Sequence, residues 1–132
     1  MKKIELLSPA GNREALVAAV QNGADAVYLG GQSLNARRGA GNFDADGLKD
    51  AVDYCHERGV KVHITVNTLL KQREAAQLEE LAGQIADAGV DAAIVQDLGV
   101  ALALSQMLPG LSLHASTQMT VHNPQGMRAL KQ

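Results

Sequence analysis

The sequence predicts an α/β fold, with parallel (β/α) units forming the first part of a TIM-type barrel of about five strands. An open, five-stranded doubly wound sheet is the alternative. Three observations point there. Asn22–Gly31, Arg58–Thr68 and Ala88–Asp97 share one grammar: a glycine (Gly23, Gly59, Gly89), a short apolar run, then polar residues. Apolar residues at helical spacing lie between these segments. The later strands alternate apolar and polar residues, whereas the central strands of a doubly wound sheet, covered on both sides, read as apolar runs.

The elements follow in order. Strand one centres on Glu5, flanked by Ile4 and Leu6, and leads into Ser8-Pro9-Ala10-Gly11. Asn12 is placed to cap a helix marked by Leu16, Val17 and Val20. Strand two is the apolar run in NGADAVYLGG. Leu48, Ala51, Val52 and Cys55 stand at i, i+3, i+4 and i+7 on helix two, with Asp44 as its cap. Strand three puts Val60, Val62, Ile64 and Val66 on one face, and Lys61, His63, Thr65 and Asn67 on the other. Leu78, Leu81, Ala82 and Ile85 repeat the helical spacing on helix three. After strand four, a fourth helix runs from about Gly99 to Leu108 and stops at Pro109-Gly110. Strand five alternates Leu111, Leu113 and Ala115 with Ser112, His114 and Ser116. Asn123-Pro124 then reads as a cap followed by proline at the first helical position. Each of the three glycines falls where a helix needs a left-handed terminal residue.

Residues 1–132 are read as the N-terminal portion of one barrel domain, since a complete barrel takes about 250 residues. Hydrophobic residues make up 46% of the chain, with only three aromatics (Tyr28, Phe43, Tyr54), so the core is aliphatic. A net charge of −2 gives no overall pull toward nucleic acid or acidic membranes. The lone cysteine excludes an internal disulfide or a cysteine-only metal cage. The start, MKKIELLSPAG, lacks the apolar run of a signal peptide, and no stretch approaches a membrane span. These features predict a cytoplasmic protein without membrane contact.

Barrel enzymes keep their working residues at the C-terminal ends of the strands. By that rule the substrate-binding candidates are Arg37, Arg38 and Asn42 in the loop Gly30–Phe43, with Asn67, Asp97 and Gln118 at strand ends. Four glycines in that loop allow close backbone approach, and the paired arginines suit carboxylate or phosphate. The loop is thus either an anion clamp or a solvated connection. Asp97 is equally suited to capping helix four. The catalytic candidates are His114 and Ser116, on the polar face of strand five, and Glu5. A histidine there transfers protons, or is a core group satisfied by Glu5 or Asn67. Glu5 is a general base or a partner of Lys61 or His63. Lys61 and His63, deeper in strand three, read as structural. Cys55 lies on an apolar stripe and reads as core. No zinc motif, nucleophile elbow or P-loop occurs, and no metal-ligand spacing stands out.

Taken in order, ELLSPAGN, GADAVYLGG, NARRGAGNF, VNT, DLG and HASTQ resemble the N-terminal barrel half of the collagenase-like peptidase family of unassigned catalytic type. The resemblance implies an enzyme, with two activities in view. One is hydroxylation of RNA pyrimidines, giving 5-hydroxyuridine at tRNA wobble positions or modified cytidine in ribosomal RNA, with prephenate implicated as donor. The other is the peptidase or collagenase activity of the family name. Relatives take part in oxygen-independent ubiquinone hydroxylation. The implied partners are RNA and a prephenate-like small acid. Several members hold an iron–sulfur cluster through cysteines later in the chain; this stretch is expected to hold no cofactor itself. An opened barrel exposes two strand edges, so at this length a homo-oligomer is expected. A non-catalytic fragment working only as an oligomer or beside a partner chain is the third reading.

Overall fold

The computed structural model describes residues 4–30, 45–66, 75–116 and 123–131. Strands and helices alternate: β1 (Leu7–Pro9), α1 (Arg13–Gln21), β2 (Ala26–Gly30), α2 (Ala45–Glu57), β3 (Lys61–Val66), α3 (Ala75–Ala88), β4 (Ala92–Val95), α4 (Leu98–Met107), β5 (Ser112–Ala115) and α5 (Pro124–Lys131). The strands form one parallel sheet in the order β1-β2-β3-β4-β5. The order has no reversal, the feature that defines a doubly wound sheet. It is the order of consecutive barrel strands, and the described sheet is open, with β1 and β5 at its edges.

Local chemistry sets the element ends. Asn12 accepts from the Ala15 amide at 2.8 Å and caps α1. Asn123 accepts from the Gly126 amide at 2.8 Å and caps α5. Gly23, Gly59 and Gly89 have φ of 95°, 72° and 79°, the left-handed region where a side chain is strained. The predicted cap Asp44 lies outside the described residues.

One sheet face carries the core. Val27 and Leu29 of β2, Val62, Ile64 and Val66 of β3, and Ala93 and Val95 of β4 join one buried cluster. Leu16, Leu48, Val52, Leu81, Ile85 and Leu104 fill it from the helices. The expected alternation in β3 holds, with Lys61, His63 and Thr65 turned to the opposite face. Strand one differs from expectation: it starts at Leu7, so Glu5 lies two residues before it. The Leu6 amide goes to the Asp25 carboxylate, not to the backbone ladder, and regular pairing begins one residue later. Pro9 is tolerated beside β2 because the ladder bond there comes from the Ala10 amide, which donates to the Tyr28 carbonyl at 2.9 Å.

Candidate functional site

The sheet face away from the core cluster is built in rows. The register aligns Pro9, Tyr28, His63, Ala92 and Ser112 in one row. Gly30, Thr65, Ile94 and His114 form the next. His63 and His114 come from different rows, with β4 between them. They meet because Ala92, the β4 neighbour of His63, carries only a methyl group. Their ring centroids are 4.9 Å apart and the planes are near perpendicular, at 88°. A hollow of about 360 Å³ adjoins them, lined by Glu5, Lys61, His63, Asp91, Ala92, Ser112 and His114.

The charges in this hollow have identifiable partners or none. His63 is only 5% exposed, and its Nδ1 is buried with no hydrogen-bond partner among the described residues. Burial holds its pKa below the ordinary 6.5, and the neighbouring His114 pushes the same way; Glu5 and Asp91 act in the opposite sense. The neutral ring is therefore favoured. Asp91 is committed: its Oδ2 accepts from the Val62 amide at 2.7 Å and lies 2.8 Å from His56 Nε2. The Asp91 amide in turn donates to the Val62 carbonyl at 2.9 Å.

Asp25 repeats this arrangement. Its Oδ2 accepts from the Leu6 amide at 2.8 Å, and its own amide donates to the Leu6 carbonyl at 2.8 Å. Each aspartate thus clasps its register partner on the preceding strand. Sequence reasoning passed over both, although the signal was present: Gly23-Ala24-Asp25 and Gly89-Val90-Asp91 share one pattern. The third copy reads Gly59-Val60-Lys61, and its lysine turns to the hollow.

The predicted site residues are divided by the fold. Glu5 and His114 share the hollow. The hollow also takes in Lys61 and His63, read from sequence as deeper structural residues. It lies at the N-terminal ends of the strands: Lys61 begins β3, Ala92 begins β4 and Ser112 begins β5. Ser116 lies past the other end of β5, buried, with its amide donating to the Val95 carbonyl at 2.7 Å. Asp97 caps α4, its Oδ1 accepting from the amides of Gly99 at 2.7 Å and Val100 at 3.1 Å. Arg37, Arg38, Asn42, Asn67 and Gln118 lie outside the described residues.

A larger hollow of about 530 Å³ lies on the helix layer, where Arg13 and Arg58 approach the Tyr54 ring at 5.0 Å and 3.7 Å. It is away from the histidine pair. Cys55 is fully buried on α2, and burial pushes its thiol up to about 11, as suits a core residue. Among the described residues no group of three or more His, Cys, Asp and Glu side chains could hold a metal ion. No described helix is long and apolar enough to cross a membrane.

The sequential parallel sheet, cored on one face and polar at one end of the other, defines a protein of the (β/α)-repeat class. The chain belongs to peptidase family U32, whose family profile matches residues 11–132. A 23S rRNA 5-hydroxycytidine synthase of Escherichia coli is 41% identical over 90% of this chain and 18% of its own length. An uncharacterized protease of Methanocaldococcus jannaschii is 39% identical over 93% of this chain and 30% of its own. A tRNA hydroxylation protein of Bacillus subtilis is 36% identical over 92% of this chain and 29% of its own. The chain thus spans less than a third of the length of these curated relatives. A solved U32 peptidase structure superposes with a TM-score of 0.72 over 96% of this chain and 53% of that one. Its 17% identity makes it a likeness of fold.

Proposed function

We propose that this chain is the N-terminal part of a barrel enzyme that hydroxylates pyrimidines in tRNA or ribosomal RNA, with a prephenate-like small acid as donor. The observation that carries the reading is the 41% identity to a protein named for making 5-hydroxycytidine in ribosomal RNA. The tRNA hydroxylation relative supports the same class of chemistry. Arg37 and Arg38 are the groups we assign to the anionic parts of the ligands, since guanidinium forks suit phosphate and carboxylate alike. His114 is the proton-transfer group we assign, with Glu5 beside it. Any iron–sulfur cluster belongs to residues beyond this stretch. Such clusters take four thiolates, and this sequence offers one cysteine, which is buried. We place the enzyme in the cytoplasm, where its RNA substrates are.

The test is deletion of the gene followed by mass spectrometry of nucleosides from purified tRNA and ribosomal RNA. Loss of 5-hydroxyuridine or 5-hydroxycytidine, restored by the full-length gene, is expected; unchanged levels of both refute the reading. Peptidase chemistry is the second reading, favoured by the protease name of the Methanocaldococcus relative. Cys55 does not serve it, because its thiol is buried and protonated at neutral pH. Cleavage of collagen-like peptides by the full-length protein, lost in His114→Ala or Ser116→Ala, would establish it.

A further inference from the structure

We propose that the outer face of α4 is the seat of a further domain of the same polypeptide, one that follows the barrel in the full-length protein. This rests on the reading of the chain as the N-terminal part of a longer barrel protein, and on nothing in the RNA chemistry.

α4 reads LGVALALSQM and is the only described helix without a charged residue. Its inner face is accounted for. Val100 and Leu104, four residues apart, are both 0% exposed and join the core cluster. Leu98 and Leu102 repeat that spacing two residues earlier, about 200° round the helix. They are 64% and 65% exposed, on the face turned away from the sheet. Ser105 and Gln106 are the only polar side chains of α4, and the Ser105 hydroxyl turns back to donate to the Leu102 carbonyl at 2.8 Å. A helix on the outside of a globular protein carries charged and polar residues on its solvent face; one that is apolar all round is a buried helix. Closing the barrel does not bury this face. New strands join at the free edges of β1 and β5. The helices beside α4 in such a barrel, α3 and α5, are already in this chain.

Area and length decide what covers it. α4 has 10 residues, so it is about 15 Å long and about 10 Å wide. Laid against the same helix of a second copy, it buries about 150 Å² on each side, where a stable contact between separate chains needs about 1,200–2,000 Å² in total. A domain on the same chain docks with less. Its tether holds it at an effective concentration of about millimolar, and contacts between domains of one chain start at about 600 Å². The relatives have chain to spare for one. The 123 residues matched in the Methanocaldococcus relative are 30% of its length, which makes it about 410 residues long. That is about 160 more than a barrel of about 250 residues uses.

The experiment replaces Leu102 by the photo-crosslinker p-benzoyl-L-phenylalanine in the purified full-length protein and maps the products by mass spectrometry. Cross-links should form within one chain, to residues that follow the barrel, in a yield unchanged on dilution. Leu98→Glu combined with Leu102→Glu should release the domain, so that trypsin cuts the junction after the barrel at least fivefold faster than in the parent. Glutamate is a good helix former and both positions are exposed, so α4 is kept, which circular dichroism will verify. Cross-links that join two chains, in a yield that falls on dilution, overturn the proposal in favour of a second copy. Cross-links to barrel residues alone, no cross-links, or junction cutting indifferent to the double substitution overturn it outright. RNA hydroxylation is not read in any arm, so failure here leaves the functional reading standing.

Discussion

Ala92 and Ala93 are adjacent in β4 and chemically identical, yet the fold gives them opposite surroundings. Ala93 is fully buried in the core cluster, with Ile64 and Leu113 as its strand neighbours. Ala92 lines the hollow, with His63 and Ser112 beside it. Changing either to valine adds two carbons and a β-branched side chain that strands favour. At Ala93 the added volume has nowhere to go, and overpacking a filled core costs about 1–3 kcal/mol. At Ala92, itself only 2% exposed, the added carbons press on the imidazoles of His63 and His114, which can give into the adjoining hollow of about 360 Å³. There the net change should stay within about 1 kcal/mol, the range of substitutions without a named destabilising mechanism. Urea unfolding of the two variants beside the parent, with m-values compared to confirm a common transition, measures the difference. Equal destabilisation, or a larger loss at Ala92, would refute the assignment of core and open faces. Ala92→Val should also push the two imidazoles apart, which the ring-proton shifts of His63 and His114 would record.

The remaining predictions concern single groups. Asp91→Ala removes the acceptor of the part-buried Val62 amide and should cost about 1–3 kcal/mol in urea unfolding. His63 supplies a pH dependence. Its folded-state pKa lies below 6.5, so the unfolded chain binds the proton more readily. Its contribution is therefore intact above pH 6.5 and is lost as pH falls below that value. His63→Phe should flatten this acid-side slope, and an unchanged slope would show that other groups carry it. Cys55 should resist iodoacetamide at neutral pH while the protein is folded and react freely in urea; rapid native labelling would contradict its burial. Asp97→Asn should keep stability, because asparagine caps as well as aspartate, whereas Asp97→Ala should lose about 1 kcal/mol. Loss of the proposed RNA hydroxylation in the full-length Asp97→Asn protein would assign that carboxylate to substrate as well.

Local features were the legible part of the fold. Gly23, Gly59 and Gly89, the caps Asn12, Asp97 and Asn123, and the alternation in β3 are set by near neighbours in sequence. The helix-capping reading of Asp97 matches the geometry for that reason. The His63–His114 contact was not legible, because it depends on the stagger of strands two apart and on a small residue at position 92. The shift of β1 was missed for a related cause. Leu6 satisfies its amide with a side chain 19 residues away, which strand periodicity does not reveal. The grouping of Glu5, Lys61, His63 and His114 followed from the same cross-strand register. Sequence order alone placed Lys61 and His63 too deep for it.

Lys61 shows how structural and unspent groups can be told apart. The repeat puts aspartate at two of its three copies, and each aspartate satisfies an amide on the preceding strand. The third copy has no such amide to satisfy. Its register partner, Ala26, already donates its amide to the Leu6 carbonyl at 3.1 Å. The Lys61 backbone itself is held by its amide donating to the Asp25 carbonyl at 3.1 Å. The ladder is therefore complete without any particular side chain at this position. A lysine facing a hollow with two carboxylates and two imidazoles is then a choice the fold does not demand. Lys61→Met should be neutral in urea unfolding, whereas Asp91→Ala should be costly. That pair of outcomes separates a side chain that clasps the preceding strand from one the ladder does not use.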